Sequence, residues 1–261
     1  LRASCYIRRT KPQVLKDLPP IRHSEWMIDP DPKYKKEYES ARDDIAQYVA
    51  DRAAELAEEM GKNPHSAAVR ARLGAEAHEF LIKLSVLKRI AAKMKLKAVD
   101  EWIEGRINEG RKVVVAAHHR EIVNLLADQY GGLKIQGGMS PDEVEEAKKR
   151  FMEGSVTDFP VIVLSIQAAK SGHTLTVAQD MIFVEHPWTP ADVDQVSARI
   201  HRIGTTGAVQ ITHALAAGTI DEEIFDLINS KRVIVDAATE GIVSDEETIS
   251  AASLMKGFLS E

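Results

Sequence analysis

Arg199 and Arg202 stand three residues apart in QVSARIHRIG (195–204), with His201 between them and Gln195 one turn earlier. Two planar, permanently charged groups so spaced suit a polyphosphate. Phosphoryl transfer develops charge on the transferred group, and an inserted guanidinium stabilises it. The same pair could instead be structural, as salt-bridge partners of Asp192 and Asp194. Spacing alone leaves both uses open. Other chemistries lack their parts: G-x-G-x-x-G, G-x-x-x-x-G-K-[ST], H-E-x-x-H, C-x-x-C and G-x-S-x-G are all missing. The sequence therefore predicts no metal site and no complete catalytic machine.

The elements that would position the arginines are legible. Residues 1–32 are Pro-rich and read as an extended, strand-containing linker. Residues 33–60 are rich in helix formers, with Tyr34, Tyr38, Ile45, Tyr48 and Val49 at helical spacing. After a GKNPHS break, a second helix is predicted over about 66–92, ending in the basic-apolar run LIKLSVLKRIAAKMK. That run reads either as a solvated basic face or as a helix lying near a phosphate backbone.

From about residue 95 the pattern alternates. LKAVDEWIEGRINEG is helix-like, and RKVVVAAHH, LKIQG, FPVIVLSIQ, DMIFVEHP and AVQITHAL read as strands. Helices fall between them: one opens with Ser140, Pro141 and Glu143 as a capping box, one with Thr189 as N-cap, and one with Thr219. Near-continuous apolar strands alternating with capped helices predict an α/β fold, a parallel sheet with helices on both faces. In such folds ligands gather at the carboxyl ends of the strands, and AHH, SIQAAKSG, EHPWTP and HRIG are all expected there. The WTPADVDQVSARIHRIG stretch is read as one helix carrying the arginine pair. Residues 238–261 read as an acidic, loosely packed tail.

The composition is that of a globular protein of one or two domains, 261 residues with 44% hydrophobic and 28% charged residues. No apolar run approaches the roughly 18 residues of a membrane-spanning helix, so no membrane partner is expected. A single Cys5 excludes an internal disulfide framework and fits a reducing compartment. The net charge of −6 is split, +6 over residues 1–98 and −12 over 99–261. Overall acidity leaves room only for a local basic stripe on an acidic partner. The chain does not begin with Met and reads as a fragment or processed piece.

QVSARIHRIG resembles motif VI of the Swi/Snf-type ATPases of helicase superfamily two, whose usual form is Q-A-x-x-R-x-H-R-I-G-Q. VIVLSIQAAKSGHTLTVAQDMIFVEHPWTPADVDQ is similar to their motif V region, and KVVVAAHHREIVNLLA to their motif IV. RRTKPQVLKDLPP (8–20) resembles the segment joining their two RecA-like lobes. The AHH, LSIQAA and GHTLT forms look most like the annealing-helicase (HARP-like) branch. The resemblance covers residues 1–20 and about 95–235, in the family's order.

The resemblance implies a RecA-like parallel sheet with an α-helical protrusion. It divides the chain into an inter-lobe connecting segment (1–32), the protrusion (33–94), a second RecA-like lobe (95–235) and a tail (236–261). It implies ATP with Mg²⁺, bound mainly by an N-terminal lobe that carries the P-loop, and duplex or branched DNA as partner. This chain by itself is then expected to be inactive. Arg202 would be the arginine finger, and Arg199 a phosphate or inter-lobe contact. Gln195 would lie near the γ-phosphate, and Gly172 in a turn where backbone passes close to nucleotide or DNA. Ser165, Gln167, Lys170, Thr174, Trp188 and His118 would face DNA, with His119 the second histidine of the motif IV pair. A hydrophobic plug under the helix start is the alternative for Trp188, and loop capping for Ser165, Gln167 and Thr174. Four departures weaken individual contacts: Thr205 replaces the glutamine after the glycine, Gln167 stands where many members have arginine, Lys170-Ser171 stands where glycine-rich sequence is common, and SPDEVEEAKKRF lacks the arginine often found in the helix after D-G-x-T/S. The implied task is translocation on duplex DNA, the alternative a catalytically inactive docking module. The expected compartment is the cytoplasm of a bacterium or phage-infected cell, or the nucleus of a eukaryote.

Overall fold

The computed structural model describes residues 14–62, 68–69, 78–169 and 172–240, with backbone only for 78 and 234–240. Cys5, Lys170, Ser171 and the tail beyond 240 lie outside the described residues. Six strands form one sheet: β1 Ile21–Ile28, β2 Val113–Ala117, β3 Lys134–Ile135, β4 Val161–Ser165, β5 Asp180–Phe183 and β6 Val209–Ala216. The order is β1-β6-β5-β2-β4-β3, and every pairing is parallel.

Parallel strands need helical crossovers, which cover both faces. The period-2 alternation of side chains accordingly sorts β2, β4 and β5 into two cores. Val114, Ala116, Ile162, Leu164, Met181 and Phe183 face one side. Val113, Val115, Ala117, Val161, Val163, Ile182 and Val184 face the other. The expectation from the apolar strands is met.

The helices are α1 Lys35–Met60, α2 His78–Asn108, α3 Arg120–Gln129, α4 Pro141–Glu153, the single turn α5 Ile166–Ala169, α6 Pro190–Ser197 and α7 Ile220–Glu240. A 3-10 turn, Pro32–Tyr34, leads into α1. Ser140 and Glu143 form the predicted capping box at α4, and Thr189 caps α6 through the Asp192 amide at 3.2 Å.

Several boundaries differ from the sequence reading. Ile21–Ile28, within the stretch read as connecting segment, is the sheet's edge strand, in register with Val209–Ala216. Helix α2 runs without a break through 94/95, because no Gly or Pro interrupts residues 78–104. Helix α7 continues to Glu240, past residue 236.

The basic run on α2 is neither a solvated face nor a free phosphate-binding stripe. Lys88 and Lys95 are buried. Lys95 donates to the Ala214 carbonyl at 2.8 Å and to Asp221 Oδ2 at 2.5 Å. Lys93 and Arg89 pair with Glu121 of α3. Apolar stems and internal acceptors make α2 a central core helix.

Candidate functional site

The arginine pair lies beyond the end of α6, in a turn, and not on a helix as its sequence suggested. The helical ladder stops because its carbonyls are claimed from outside. The Leu175 amide donates to the Arg199 carbonyl at 2.8 Å. The Thr205 hydroxyl lies 2.7 Å from the Ile200 carbonyl and 2.8 Å from that of Arg202, and accepts from the Arg202 amide at 3.1 Å. Gly204 then takes φ +102°, which a side chain would strain. Thr205, the departure from the family's glutamine, is thus the cap of the arginine turn.

The turn sits at the amino-terminal rim of the sheet, contrary to the expectation that HRIG gathers at the carboxyl ends. It leads into β6, whose first residue is in register with Ile21, the start of β1. His201 Nε2 donates to the Pro19 carbonyl at 2.7 Å, pinning the turn to the segment before β1. Leu175 precedes β5 on the same rim. Tertiary hydrogen bonds between the two rim loops, which a linear sequence does not display, decide this placement.

Arg202 is exposed, and its Nη1 donates to Thr174 Oγ1 at 3.2 Å. Among the described residues no carboxylate pairs with it. Asp194 is bound by Arg232, at 2.8 and 3.1 Å. Arg199 is mostly buried, and burial first, then the Arg202 charge, lowers its pKa from the ordinary value. Thr174, Arg199 and Arg202 therefore form one cluster. Gln195 is exposed on α6, and the short α5 carrying the exposed Gln167 packs against that helix. Gly172 has neither a left-handed backbone nor any atom within 4 Å of an added Cβ. The chain itself makes no demand for glycine there.

His118, Ser165 and Trp188 occupy the carboxyl rim, apart from the arginine cluster. Its centre is Glu185, which the sequence reading missed. Buried Glu185 accepts from the His118 and His119 amides at 2.7 and 2.8 Å, and its other oxygen meets His119 Nδ1. Burial raises the Glu185 pKa, but the His119 hydrogen bonds and the Lys88 charge outweigh it and hold the carboxyl below its usual range. Ser85 Oγ of α2 meets His119 Nε2 at 2.7 Å, tying that helix to this corner.

Lys88 donates to the His186 carbonyl at 2.7 Å and lies 4.6 Å from the Trp188 ring centroid. Burial lowers Lys88 to about 8, against the opposing Glu185 charge. Trp188 is half-buried against the core, and its carbonyl accepts from Lys231 at 3.1 Å. Ser165 is buried at the end of β4. The signal for Glu185 and His186 was present in FVEHP: polar and charged residues closing an apolar strand must be paired.

No group of three or more His, Cys, Asp or Glu able to hold a metal occurs among the described residues. A basic cluster of one exposed and one mostly buried guanidinium with a hydroxyl fits phosphate oxygens. It does not fit a divalent cation.

A sheet of this order with helices on both faces defines a RecA-like α/β lobe. The chain matches the helicase conserved C-terminal domain over residues 94–204. It is 31% identical over 149 residues to a Drosophila melanogaster SWI/SNF-related matrix-associated actin-dependent regulator of chromatin subfamily A-like protein 1, covering 55% of this chain and 20% of that protein. It is 27% identical over 241 residues to the human DNA annealing helicase and endonuclease ZRANB3, covering 90% of this chain and 20% of that protein. The C-terminal part of the Fun30 ATPase domain superposes with a TM-score of 0.63 at 16% identity, over 93% of this chain and 99% of that one. A Sulfolobus solfataricus SWI2/SNF2 ATPase core solved with duplex DNA gives 0.61 at 21%, over 90% and 50%. These two likenesses speak for the fold alone. The chain is a RecA-like lobe that carries a match to the helicase conserved C-terminal domain, and it is similar to SWI/SNF-related proteins and DNA annealing helicases. It spans about a fifth of the length of the curated relatives it matches.

Proposed function

We propose that this lobe serves a DNA-dependent ATPase that moves along or remodels duplex DNA, and that Arg202 is its arginine finger. The observation that carries the reading is the exposed Arg202 guanidinium, tethered to Thr174 Oγ1 on a capped turn with no carboxylate beside it among the described residues. An exposed guanidinium held only by a hydroxyl keeps its other donors for an incoming phosphate. Arg199, behind it in the same turn, would hold a second phosphate oxygen or the facing lobe. Gln195 would lie near the γ-phosphate. ATP, held with Mg²⁺ by an N-terminal lobe, would supply the phosphoryl group. His118, Gln167 and Trp188 would face the DNA, as would Ser165 and Lys170.

The arginine pair favours this reading over an inactive docking module, which would have no need of both guanidinium groups. In the two-lobe protein, Arg202→Ala should lower kcat by about 10³ or more with little change in ATP affinity. Wild-type kcat in that variant would return Arg202 to a structural role.

A further inference from the structure

We propose that the groove between β1 and the end of α2 binds single-stranded nucleic acid, stacking a base on its tryptophans and holding the adjoining phosphate on Arg22. This site stands on its own geometry and not on the arginine-finger reading. The groove encloses about 430 Å³, and Arg22, Trp26, Trp102, Arg106 and Arg111 line its walls. That volume suits a nucleotide-sized unit.

Its floor is sheet. Ser24, Gln210 and Thr212 project there from β1 and β6, with Asp180 from β5. In an α/β fold this face is ordinarily sealed by apolar helix contacts. Here the strip is polar: Gln210 Nε2 donates to Ser24 Oγ at 2.7 Å, across two neighbouring strands. The groove also lies on the opposite sheet face from the arginine turn. Trp26 and Trp102 pack with one core, whereas Leu175, Val196 and Ile200 belong to the other. It is therefore distinct from both the arginine cluster and the carboxyl rim.

The guanidinium groups are held in place before any ligand arrives. Buried Asp180 lies 2.6 Å from Arg111 Nη2 and 3.7 Å from Arg106 Nε. Glu109 lies 3.0 Å from Arg106 and 3.6 Å from Arg111. Arg106 in turn lies 5.0 Å from the Trp102 ring centroid. Three arginines against Asp180 of the groove and the adjoining Glu109 leave a net +1, with Arg22 exposed and free of any carboxylate partner among the described residues. One uncompensated cation beside stacking surfaces matches a single phosphate with its base. A flexible acidic peptide would want more charge and offers nothing to stack. Bases within a duplex are already stacked on their neighbours, so a single strand is the form that can use the tryptophan faces.

The chain's own tryptophans supply the test, since two of its three line the groove. In a Trp188→Phe background, fluorescence would be titrated with an eight-nucleotide oligothymidylate at about 50 mM salt. Saturable quenching is expected, and Arg22→Glu, at an exposed position, should weaken apparent affinity about tenfold or more with an unchanged circular-dichroism spectrum. Absent quenching, or quenching that Arg22→Glu leaves untouched, would overturn the proposal. So would equal quenching by a polyglutamate peptide, which would make the groove a peptide site. Thymidine monophosphate binding as tightly as the oligonucleotide would assign the groove to free nucleotide and likewise overturn it.

Discussion

His213 sits between two other imidazoles, 3.1 Å from His23 Nδ1 through its Nε2 and 3.0 Å from His186 Nε2 through its Nδ1. The chain of rings runs from the exposed edge strand into the core, stacked on Phe183 and against Phe225. Burial first, then the charges of His23 and Arg232, depresses His213 to about 3. His186 is also pushed well below its ordinary value, by burial first and then by His213, Lys95 and Lys88. Both rings are neutral in the folded protein at pH 7. An unfolded histidine titrates near 6.5, so between that pH and the depressed value the unfolded chain binds more protons. Stability is then full above about pH 6.5 and falls as pH drops, by up to about 1.4 kcal/mol per pH unit per histidine. Denaturant melts between pH 7 and 5, above the carboxylate range, should show this slope. His213→Asn should remove its share of the slope and leave that of His186, and an unchanged slope would remove His213 as a source.

Trp188 poses a different question at the same scale. Its ring packs on the core and covers the Lys88 ammonium. Truncation should therefore cost stability, roughly 2 kcal/mol or more, by opening a cavity and wetting Lys88. Thermal melts of Trp188→Ala check this. A variant that melts like wild type while DNA-stimulated hydrolysis falls would show a ring that serves DNA and not the fold.

Among the elements, α6 best shows how a local signal and a tertiary one divide the work. Thr189 starts the helix with a side-chain cap, as its Thr-Pro sequence indicates. Nothing local ends it at Ser197, since ARIH contains no breaker. Leu175 and Thr205 end it by taking carbonyls that a continuing helix would need. Thr205→Val keeps the shape and removes the hydroxyl. It should cost about 1–3 kcal/mol for the buried Ile200 carbonyl left without its donor, while the Arg202 carbonyl keeps the Thr205 amide. In the two-lobe protein it should also lower kcat more than the ATP KM, because the turn holding Arg199 and Arg202 loses its cap. A change in stability alone, with kcat intact, would separate the cap from the arginines. Helix α2 illustrates the reverse case. Its lysines looked like a phosphate-facing stripe, and the acceptors that bury them, the His186 and Ala214 carbonyls and Asp221, come from about 100 residues away in sequence.

At the scale of the molecule, the sequence contains no P-loop to hold the β- and γ-phosphates of ATP. The purified chain is accordingly expected to show no ATP turnover above a P-loop-deficient control, and multiple turnover would sink the two-lobe reading. Its DNA affinity should be weak and only shallowly salt-dependent. Lys88, Lys93 and Lys95 are spent on internal partners, leaving few cations for phosphate. A steep salt slope, worth four or more phosphates, would mean that other cations of the chain carry the binding.

The sequence by itself determined the alternation of apolar strands and capped helices, hence a parallel sheet covered on both faces. It also showed the arginine pair, because hydrophobic periodicity, cap chemistry and motif spacing are all local. Only the tertiary structure decided where those pieces lie. It made Ile21–Ile28 an edge strand, buried the α2 lysines, and carried HRIG to the amino rim while AHH and EHPW stayed at the carboxyl rim. It also assembled Glu185 with His118 and His119, and Asp180 with Arg106 and Arg111, from residues about 70 apart. Such pairings follow from strand order and from the demand that every buried charge find a partner. Strand order is a long-range property, invisible in any window of the chain.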